Sequence, residues 1–300
     1  MLCAALVAFA ATNPEYTPTP FGPVLSHCVH EVPNGAQLSE RSDGGVHVTA
    51  PDGFVQVLPA CETSGGKWPI RAPAASLPAN YDGWLQYTEL NVSDLGLQGS
   101  FDQFTSVMSV PDHPKRRADV LYFFPGLQNV DWIPLVDPEP ATFDIIQPVL
   151  QYPSSAWGGG WGLRSWYVTL RAGAMYSRMI SDIEPGDAIM CNMSRTGTQS
   201  WRVSGALKSD ASRATVQEAT SERLQMQPWA YSAVAECYGC HGCDTYPTKP
   251  IVFSDNKLYQ AGKLLDTSAA WKRNPKPAKR LMCNEATNVA PSGDATISFV

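Results

Sequence analysis

The sequence predicts an all-β protein folded as an antiparallel β-sandwich. Short segments rich in β-branched and aromatic residues follow one another from residue 81 to residue 263, among them WLQYTELNV, FDIIQPVLQY and WAYSAVAECY. Turn-forming sequences such as VPDHP, EPGD and SRTGTQ separate these segments. Only SDASRATVQEATSERLQ has a composition that could form a helix, so two packed antiparallel sheets are expected.

Composition divides the chain into four parts. Residues 1–10 form a short apolar run that ends in small residues, which favours a signal peptide over the alternative of a buried strand or helix, although the usual positive charge is missing. Residues 11–80 are rich in Pro, Gly, Ser and Thr, and we expect an irregular segment there, either a propeptide or a cap. Residues 81–263 are the predicted sandwich domain, and residues 264–300 are a C-terminal tail.

Charge and motif content exclude several functions. The formal net charge of -6 at pH 7 provides no basic face for nucleic acid, and the cluster Lys115-Arg116-Arg117 is too short to change this. After residue 11 no apolar run reaches the roughly 18 residues of a membrane helix. No phosphate-binding loop, dinucleotide fingerprint or serine-hydrolase elbow is present. The sequence therefore predicts a secreted, extracellular monomer with no cofactor, no nucleic-acid partner and no membrane association.

The cysteines support an oxidising compartment. If Cys3 leaves with the signal peptide, an odd number remains, and one thiol is unpaired or bridges to another chain. The disulfide candidates are Cys28, Cys61, Cys191, Cys237, Cys240, Cys243 and Cys283. We predict a Cys28–Cys61 bridge, and we interpret CYGCHGC as a disulfide loop because so tight a set of ligands would strain a tetrahedral zinc site. No metal is predicted. The sequons at Asn91 and Asn192 are glycosylation candidates.

Gln147 lies within the strand-like segment FDIIQPVLQY. Strand alternation puts Gln147 on one face with Ile145 and Val149, and an apolar set led by Ile146 on the other face. Pro148 predicts a bulge or an edge position. The simplest interpretation is a strand glutamine that is half in solvent or bonded to a neighbouring side chain.

Glu236 ends the segment WAYSAVAECY. Alternation separates an apolar set (Tyr231, Ala233, Ala235, Cys237) from an opposing set (Ala230, Ser232, Val234, Glu236). Small apolar neighbours disfavour the charged form of a carboxylate, so we expect a raised proton affinity, as general acids and bases require. The alternative is an edge carboxylate bonded to backbone or to Tyr238.

The order of these motifs resembles the eqolisin family of glutamic peptidases, which are secreted acid proteases with an antiparallel β-sandwich of the concanavalin-like jelly-roll type. VLYFFPGLQN followed by IIQPV is similar to the family's segment around its catalytic glutamine, and VAECY followed by IVFSD is similar to that around its glutamate. Between them, SWY and IEPGDAIM resemble the family's WY strand and GD turn. The similarity covers roughly residues 81–263. A family tryptophan is replaced by Phe123 or Phe124, and CYGCHGC is foreign to the family.

The resemblance implies a catalytic pair. Glu236 would activate water, and Gln147 would donate its amide N–H to the oxyanion of the attacked peptide carbonyl. It also implies a polypeptide substrate that contacts Trp166, Tyr167, Phe124 and Trp161. Hydrolase activity is the favoured expectation, with loss of catalysis as the alternative.

Two other functions compete with peptidase activity. A lectin-like carbohydrate-binding module would use tryptophans near loops, namely Trp132, Trp157, Trp161 and Trp229. A glycoside hydrolase would need two facing carboxylates, and Asp144 is expected to point to the face opposite Gln147.

Overall fold

Two large β-sheets and a separate two-stranded hairpin make up the computed structural model, which describes residues 16–61, 81–133, 143–155, 159–273 and 283–299. Helical structure in these ranges is confined to short 3-10 helices at Ser26–Cys28, Val92–Leu95, Glu222–Gln225 and Cys243–Thr245. In chain order the strands are β1 (Tyr16–Thr19), β2 (Gly22–Leu25), β3 (Val29–Val32), β4 (Ala36–Glu40), β5 (Val46–Thr49), β6 (Val55–Leu58), β7 (Tyr81–Asn91), β8 (Gln103–Ser109), β9 (Val120–Gln128), β10 (Asp144–Tyr152), β11 (Trp161–Thr169), β12 (Gly173–Ser177), β13 (Ile180–Ile183), β14 (Ala188–Arg195), β15 (Ser200–Leu207), β16 (Ala214–Thr220), β17 (Trp229–Tyr238), β18 (Ile251–Gln260), β19 (Lys263–Leu264), β20 (Lys272–Arg273), β21 (Ala286–Val289) and β22 (Ala295–Ser298).

The first sheet has nine strands in the order β20-β7-β17-β9-β10-β11-β12-β3, with β13 also paired to β11. The second sheet has eleven strands in the order β21-β22-β18-β8-β14-β15-β16-β4-β5-β6, with β19 paired to β18. All pairings are antiparallel except β12 with β3 and β16 with β4. The predicted all-β sandwich is confirmed, with two parallel pairings added at one side.

Both parallel pairings come from the N-terminal part of the chain. The sequence predicted an irregular segment over residues 11–80, yet β3 joins the first sheet and β4, β5 and β6 extend the second. These strands are only 4 or 5 residues long. Segments this short have too few alternating positions to stand out in a sequence rich in turn formers. Residues 16–61 are thus integrated into the sandwich.

The interior of the sandwich is built from two hydrophobic clusters that join the sheets. In one, Leu127, Ile146 and Tyr167 of the first sheet pack with Met193 and Trp201 of the second. The other includes Phe123 and Leu150 with Ile189 and Phe253. These residues alternate along their strands, as expected for the inner face of each sheet.

The opposite face of the first sheet, called the outer face here, carries a third cluster. It contains Tyr122, Phe124, Ile145, Val149, Trp166, Trp229 and Tyr231. The hairpin of β1 and β2 covers this face, since Phe21, Val24 and Leu25 belong to the same cluster. Accordingly every residue of β9 and of β17 is buried. A strand covered on both faces loses the alternation of polar and apolar residues that identifies a surface strand.

Three disulfides link the described cysteines. The Cys28–Cys61 bridge confirms the predicted pair and closes a separation of 33 residues. The CYGCHGC loop contributes Cys237–Cys240 and Cys243–Cys283. Cys191, the unpaired cysteine of this part of the chain, is buried in β14, and burial raises the pKa of its thiol. A buried neutral thiol is a poor nucleophile, so Cys191 is a core residue.

A buried ionic cluster joins the start of β10 to the second sheet. Asp144 accepts hydrogen bonds from Tyr167 Oη at 2.8 Å and from Arg223 Nε at 2.9 Å. Arg223 also pairs with Glu40 of β4 and donates to Thr169 Oγ1 at 2.8 Å. Asp144 is on the inner face with Tyr167, as the sequence predicted. Burial raises the pKa of Asp144 to about 6 against the opposing effect of Arg223.

The ionic cluster predicts a specific pH dependence of stability. Because the folded-state pKa of Asp144 lies above its ordinary value of 3.8, the fold disfavours the ionised form, and stability from this group falls as pH rises from 4 to 6. Asp144→Asn should remove this dependence, so the wild type should lose about 3 kcal/mol relative to the variant between pH 4 and pH 7. Chemical denaturation across this range measures the difference. The control Asp255→Asn removes an exposed carboxylate. Parallel profiles for wild type and Asp144→Asn would contradict the assignment.

Candidate active site

Gln147 lies on the outer face and is fully buried. Its Oε1 accepts a hydrogen bond from Tyr231 Oη at 2.8 Å, and its Nε2 donates to the carbonyl oxygen of Pro20 at 3.2 Å. The phenol donor fixes the orientation of the amide, because the oxygen must face the hydroxyl and the nitrogen must then face the hairpin. Of the two forms of the simplest sequence interpretation, a half-solvated glutamine is wrong, because the hairpin covers Gln147, and a bond to a neighbouring side chain is present.

Gly126 makes the contact between Tyr231 and Gln147 sterically feasible. In the β9–β10 ladder Ile146 pairs with Leu127, so the next residue of β10, Gln147, lies opposite Gly126. On the other side of β9, Gly126 pairs with Tyr231 of β17. A Cβ atom at Gly126 would lie 2.3 Å from the Tyr231 ring. The missing side chain therefore lets the ring lie across β9 and bring its hydroxyl to Gln147.

A β-bulge in β17 decides which side chains share this face. Tyr231 pairs with Gly126 and Val234 with Phe124, so β17 has one residue more than β9 over this stretch, and Ala233 has a positive φ of 50°. Strict alternation put Tyr231 and Glu236 on opposite faces. The bulge reverses the alternation, and Tyr231, Val234 and Glu236 all belong to the outer face.

The β9–β10 ladder is irregular at the same level. Ile145 and Ile146 of β10 pair with β9, and the pairing resumes at Leu150. The register between these points puts Pro148 opposite Pro125. Neither proline has an N–H to donate, so the ladder opens there. Pro148 predicted a bulge or an edge position, and the edge position is wrong, since β10 lies between β9 and β11. A central strand tolerates this proline because its neighbour has one too.

Glu236 is fully buried and pairs across the sheet with Tyr122. Burial, followed by the negative charge of Glu236, raises the pKa of Tyr122 and of Tyr231 above the ordinary value. Both phenols are therefore protonated hydrogen-bond donors over the whole physiological pH range. Two tyrosine hydroxyls thus lie in the electrostatic neighbourhood of one buried carboxylate.

Gln147 and Glu236 lie on the same face of the first sheet, but they do not lie in the same cross-strand row, that is, opposite the same residue of β9. Tyr122, opposite Glu236, is four residues from Gly126, which lies opposite Gln147. At the rise of a β-strand this offset is about 13 Å along β9. A ligand that contacts both side chains must therefore run along the strand direction.

The N-terminal hairpin, Tyr16–Leu25, contacts Gln147 and two tyrosines of this face. Besides the contact of Pro20 with Gln147, the carbonyl oxygen of Pro18 accepts from Tyr122 Oη at 3.1 Å, and that of Thr19 accepts from Tyr238 Oη at 3.0 Å. Successive carbonyl groups of one polypeptide are thus bound by three side chains of the outer face. We call this set, Gln147, Tyr122 and Tyr238, the carbonyl-binding residues.

Sequence analysis missed Tyr122 as a functional candidate. The residue lies in VLYFFPGLQN, which was compared with a family motif only through its phenylalanines. Alternate residues of a strand lie on the same face, so Tyr122 lies on the outer face with Phe124, and both belong to the outer-face cluster. Its contact with a hairpin about a hundred residues earlier in the chain has no local signal.

The four predicted substrate-contact residues divide between the two faces. Phe124 and Trp166 belong to the outer-face cluster. Tyr167 and Trp161 point to the interior, where Tyr167 bonds Asp144 and Trp161 Nε1 donates to the carbonyl oxygen of Pro111 at 3.0 Å. The structure therefore brings two of the four residues to the face that carries Gln147 and Glu236.

Metal-ligand geometry occurs once in the described chain, at His27, Cys28 and Cys61. Both sulfur atoms of this group are joined in a disulfide, so they are not thiolate ligands. The Cys237–Cys240 bridge begins directly after Glu236 and restrains the end of β17.

Several predictions concern features that the structure does not decide. The predicted signal peptide lies outside the described residues, as do Cys3 and Trp157. Asn91 and Asn192 are partly exposed; Asn91 accepts from Ser93 N, and Asn192 accepts from Gln103 Nε2. Glycosylation of either residue stays a prediction. None of the helices in the described ranges has the length and apolar character needed to cross a bilayer.

Comparisons with known proteins give distant structural matches. No family model matches the chain, and no curated protein sequence matches it. Solved structures that match include scytalido-glutamic peptidase with a transition-state-analogue inhibitor (TM-score 0.49), the same peptidase with a peptide-based transition-state analogue (0.48), and SCP-B, a member of the eqolisin family of peptidases, in a complex with the tripeptide Ala-Ile-His (0.47). Each is 13% identical and covers 73% of this chain and 98% of its own. At 13% identity and TM-scores below 0.5, these matches assign neither a family nor an activity.

The contact between Tyr231 and Gly126 predicts an energetic coupling. Gly126→Ala should lower the free energy of unfolding by about 2 kcal/mol, because the new methyl group overlaps the tyrosine ring. In a Tyr231→Ala background the same substitution should be nearly neutral, so the coupling free energy should be at least about 1 kcal/mol. Denaturant unfolding of the wild type, the two single variants and the double variant measures it.

Gly197→Ala is the control for this cycle, since its Cβ would be 3.4 Å from the nearest atom, in Ser200. Its effect should be the same in both backgrounds. An equal cost of Gly126→Ala with and without the Tyr231 ring would show that the ring does not lie over Gly126.

Proposed function

We propose that this protein is a secreted acid endopeptidase of the glutamic type, in which Glu236 activates water and Gln147 polarises a peptide carbonyl. One observation carries the proposal: the outer face binds successive carbonyl groups of a polypeptide, and a fully buried carboxylate lies among the side chains that bind them. A peptidase needs both a way to hold peptide backbone and a base for water.

The chemistry assigned to Glu236 is general acid–base catalysis. Its carboxylate takes a proton from water as the water oxygen attacks the carbonyl carbon. The same proton then passes to the amide nitrogen as the C–N bond breaks, which yields a carboxylic acid and an amine. The two tyrosine hydroxyls near Glu236 stay neutral, because burial and the charge of Glu236 raise their pKa, so they do not compete for the proton.

The chemistry assigned to Gln147 is stabilisation of the oxyanion. Its Nε2 already donates to a peptide carbonyl, and Tyr231 holds the amide in the orientation that this requires. A donor of this kind is worth about 3 to 4 kcal/mol in a transition state. Tyr231 is a positioning residue in this scheme, since it acts through Gln147.

Tyr122 is a second candidate for the oxyanion donor. Its backbone position lies opposite Glu236, whereas the backbone position of Gln147 in β10 is offset by four residues, about 13 Å along the sheet. In the hairpin, Tyr122 and Gln147 hold carbonyl groups two residues apart. One of the two donors therefore binds the attacked carbonyl and the other sets the register of the chain.

Secretion is part of the proposal. Three disulfides in the described residues fit an oxidising compartment. The apolar run at residues 1–10 supports export by the signal-peptide route.

A lectin-like function has less support. Sugar rings stack on exposed aromatic faces, yet Trp132, Trp161 and Trp229 are buried to 5% exposure or less. Trp132 stacks on Phe143, and Trp229 stacks on Trp84. Of the two carboxylates considered for glycoside hydrolysis, Asp144 lies on the inner face and is engaged by Arg223.

Substitution of the proposed pair tests the activity. Glu236→Gln should abolish hydrolysis of a denatured protein substrate between pH 2 and pH 7, because an amide cannot take the proton of water. Gln147→Ala should lower kcat about 10² to 10³-fold if it holds the oxyanion. Circular dichroism checks that both variants fold.

Matched controls are Gln37→Ala and Glu218→Gln, both in the second sheet. Both should retain activity within a few-fold of the wild type. An active Glu236→Gln enzyme would refute the proposal.

A comparison of Gln147→Ala with Tyr122→Phe identifies the oxyanion donor. The donor to the attacked carbonyl acts in the transition state, so its loss lowers kcat, whereas loss of the register contact raises KM. We expect the kcat effect at Gln147 and the KM effect at Tyr122. The reverse pattern would transfer the oxyanion role to Tyr122, and unchanged constants in both variants would exclude this face as the substrate site.

A further inference from the structure

The N-terminal hairpin occupies the face on which a substrate would bind. We propose that the hairpin is an internal ligand of this groove, which keeps the protein latent, and that it shows the groove's preference for neutral peptides with an aromatic residue directly after a proline. The inference deepens the proposed function and rests on it, because latency has a meaning only if the free groove acts on polypeptides.

The hairpin takes the backbone contacts that a substrate needs. All three carbonyl-binding residues donate to it, and Gln147 donates to the carbonyl of the Pro20–Phe21 peptide bond. Residues 19–25 are all buried. A polypeptide substrate cannot reach these donors while the hairpin is bound.

Phe21 fills an aromatic pocket beside Gln147. Its ring centroid lies 4.4 Å from that of Phe143 and 5.3 Å from that of Trp132, which themselves stack with centroids 5.8 Å apart. Phe21 has no exposed surface. Three aromatic rings in contact bury a large apolar area, so a peptide with Phe at this position gains much more than one with a small residue.

The composition of the hairpin matches the side chains that it contacts. YTPTPFGPVL contains no charged side chain. It bonds to phenols and an amide and packs against aromatic rings, and the charges that act on Tyr122 are those of Glu236 and of Arg164, which pairs with Glu31 at 3.5 Å. A substrate with a charged residue at these positions would have to desolvate it, and Arg164 is already paired.

Its turn geometry explains how the hairpin can be bound without being a good substrate. Thr19 pairs with Gly22, so Pro20 and Phe21 form a two-residue turn, and Thr19 Oγ1 donates to the carbonyl oxygen of Gly22 at 2.6 Å. Gly22 has a φ of 106°, which other residues rarely adopt. The Pro20–Phe21 bond is thus held in a closed turn, whereas the offset between the rows requires a ligand that extends along the strand.

The hairpin is tethered to the sandwich after Leu25. Val29–Val32 is a strand of the first sheet, and Cys28 is bonded to Cys61. Between them and the hairpin lies a 3-10 helix in which His27 is exposed. Activation therefore requires either that the hairpin swings away or that the chain is cut at this exposed turn.

A peptide-binding experiment with the full-length protein tests the proposal. Phe21→Ala removes the aromatic anchor and should open the groove, while Phe253→Ala removes an equally buried ring from the interior cluster. Fluorescently labelled TPTPFGPV, the sequence of residues 17–24, is titrated at acidic pH and followed by anisotropy. We expect it to bind Phe21→Ala at least tenfold more tightly than wild type or Phe253→Ala, and the peptide TPTPAGPV to bind no variant. Phe21→Leu, which keeps more apolar volume, should give the same order with a smaller difference.

Hydrolysis of a denatured protein separates the two proposals. Phe21→Ala should be at least tenfold faster than wild type, and excess TPTPFGPV should return it to the wild-type rate. Binding of the peptide without hydrolysis by any variant would refute the peptidase and keep the hairpin as an internal ligand. Equal hydrolysis by wild type and Phe21→Ala, with no peptide binding, would refute latency and keep the peptidase. Tight binding of TPTPAGPV would refute the aromatic preference.

Discussion

The central strands of the first sheet are apolar on both faces, so this sheet requires a cover on each side. The second sheet provides one cover, and the N-terminal hairpin with the segments around Trp132 and Phe143 provides the other. Polar side chains on the outer face consequently lie in a low-dielectric environment, where each needs a hydrogen-bond partner. This explains why Gln147, Tyr122 and Tyr238 all bond to the hairpin backbone.

Regular β-structure is interrupted where the site lies. Pro125 and Pro148 open the ladder between β9 and β10, the bulge at Ala233 disturbs β17, and Gly126 removes a side chain between them. Each irregularity weakens a sheet taken alone. Together they put a tyrosine ring, an amide and a carboxylate on a face that strict alternation would have divided between two sides of the sheet.

Local sequence patterns predicted most strands and one disulfide correctly, but they did not predict the N-terminal strands or the faces of two aromatic residues. The strands from residue 81 onward, the Cys28–Cys61 bridge and the inward direction of Asp144 follow from β-propensity, spacing and alternation. The N-terminal strands were missed because they are short and joined by turn formers. The edge position that Pro148 predicted as an alternative to a bulge is wrong, because the sequence of one strand does not reveal that the neighbouring strand also has a proline opposite it. Tyr167 and Trp161 were chosen as aromatic residues near the motif, yet strand parity directs both to the interior.

Residue types and periodicity along single strands were enough to predict an all-β sandwich, the Cys28–Cys61 bridge and two polar residues, Gln147 and Glu236, in otherwise apolar strands. The other two disulfide pairs came from the folded structure. The packing of the strands showed that Gln147 and Glu236 share a face, that they are offset by four residues along β9, and that the hairpin lies over Gln147. The reason is physical: a one-residue bulge reverses every later side chain of a strand, and contacts between residues 20 and 147 arise from the packing of chain segments that have no local influence on each other.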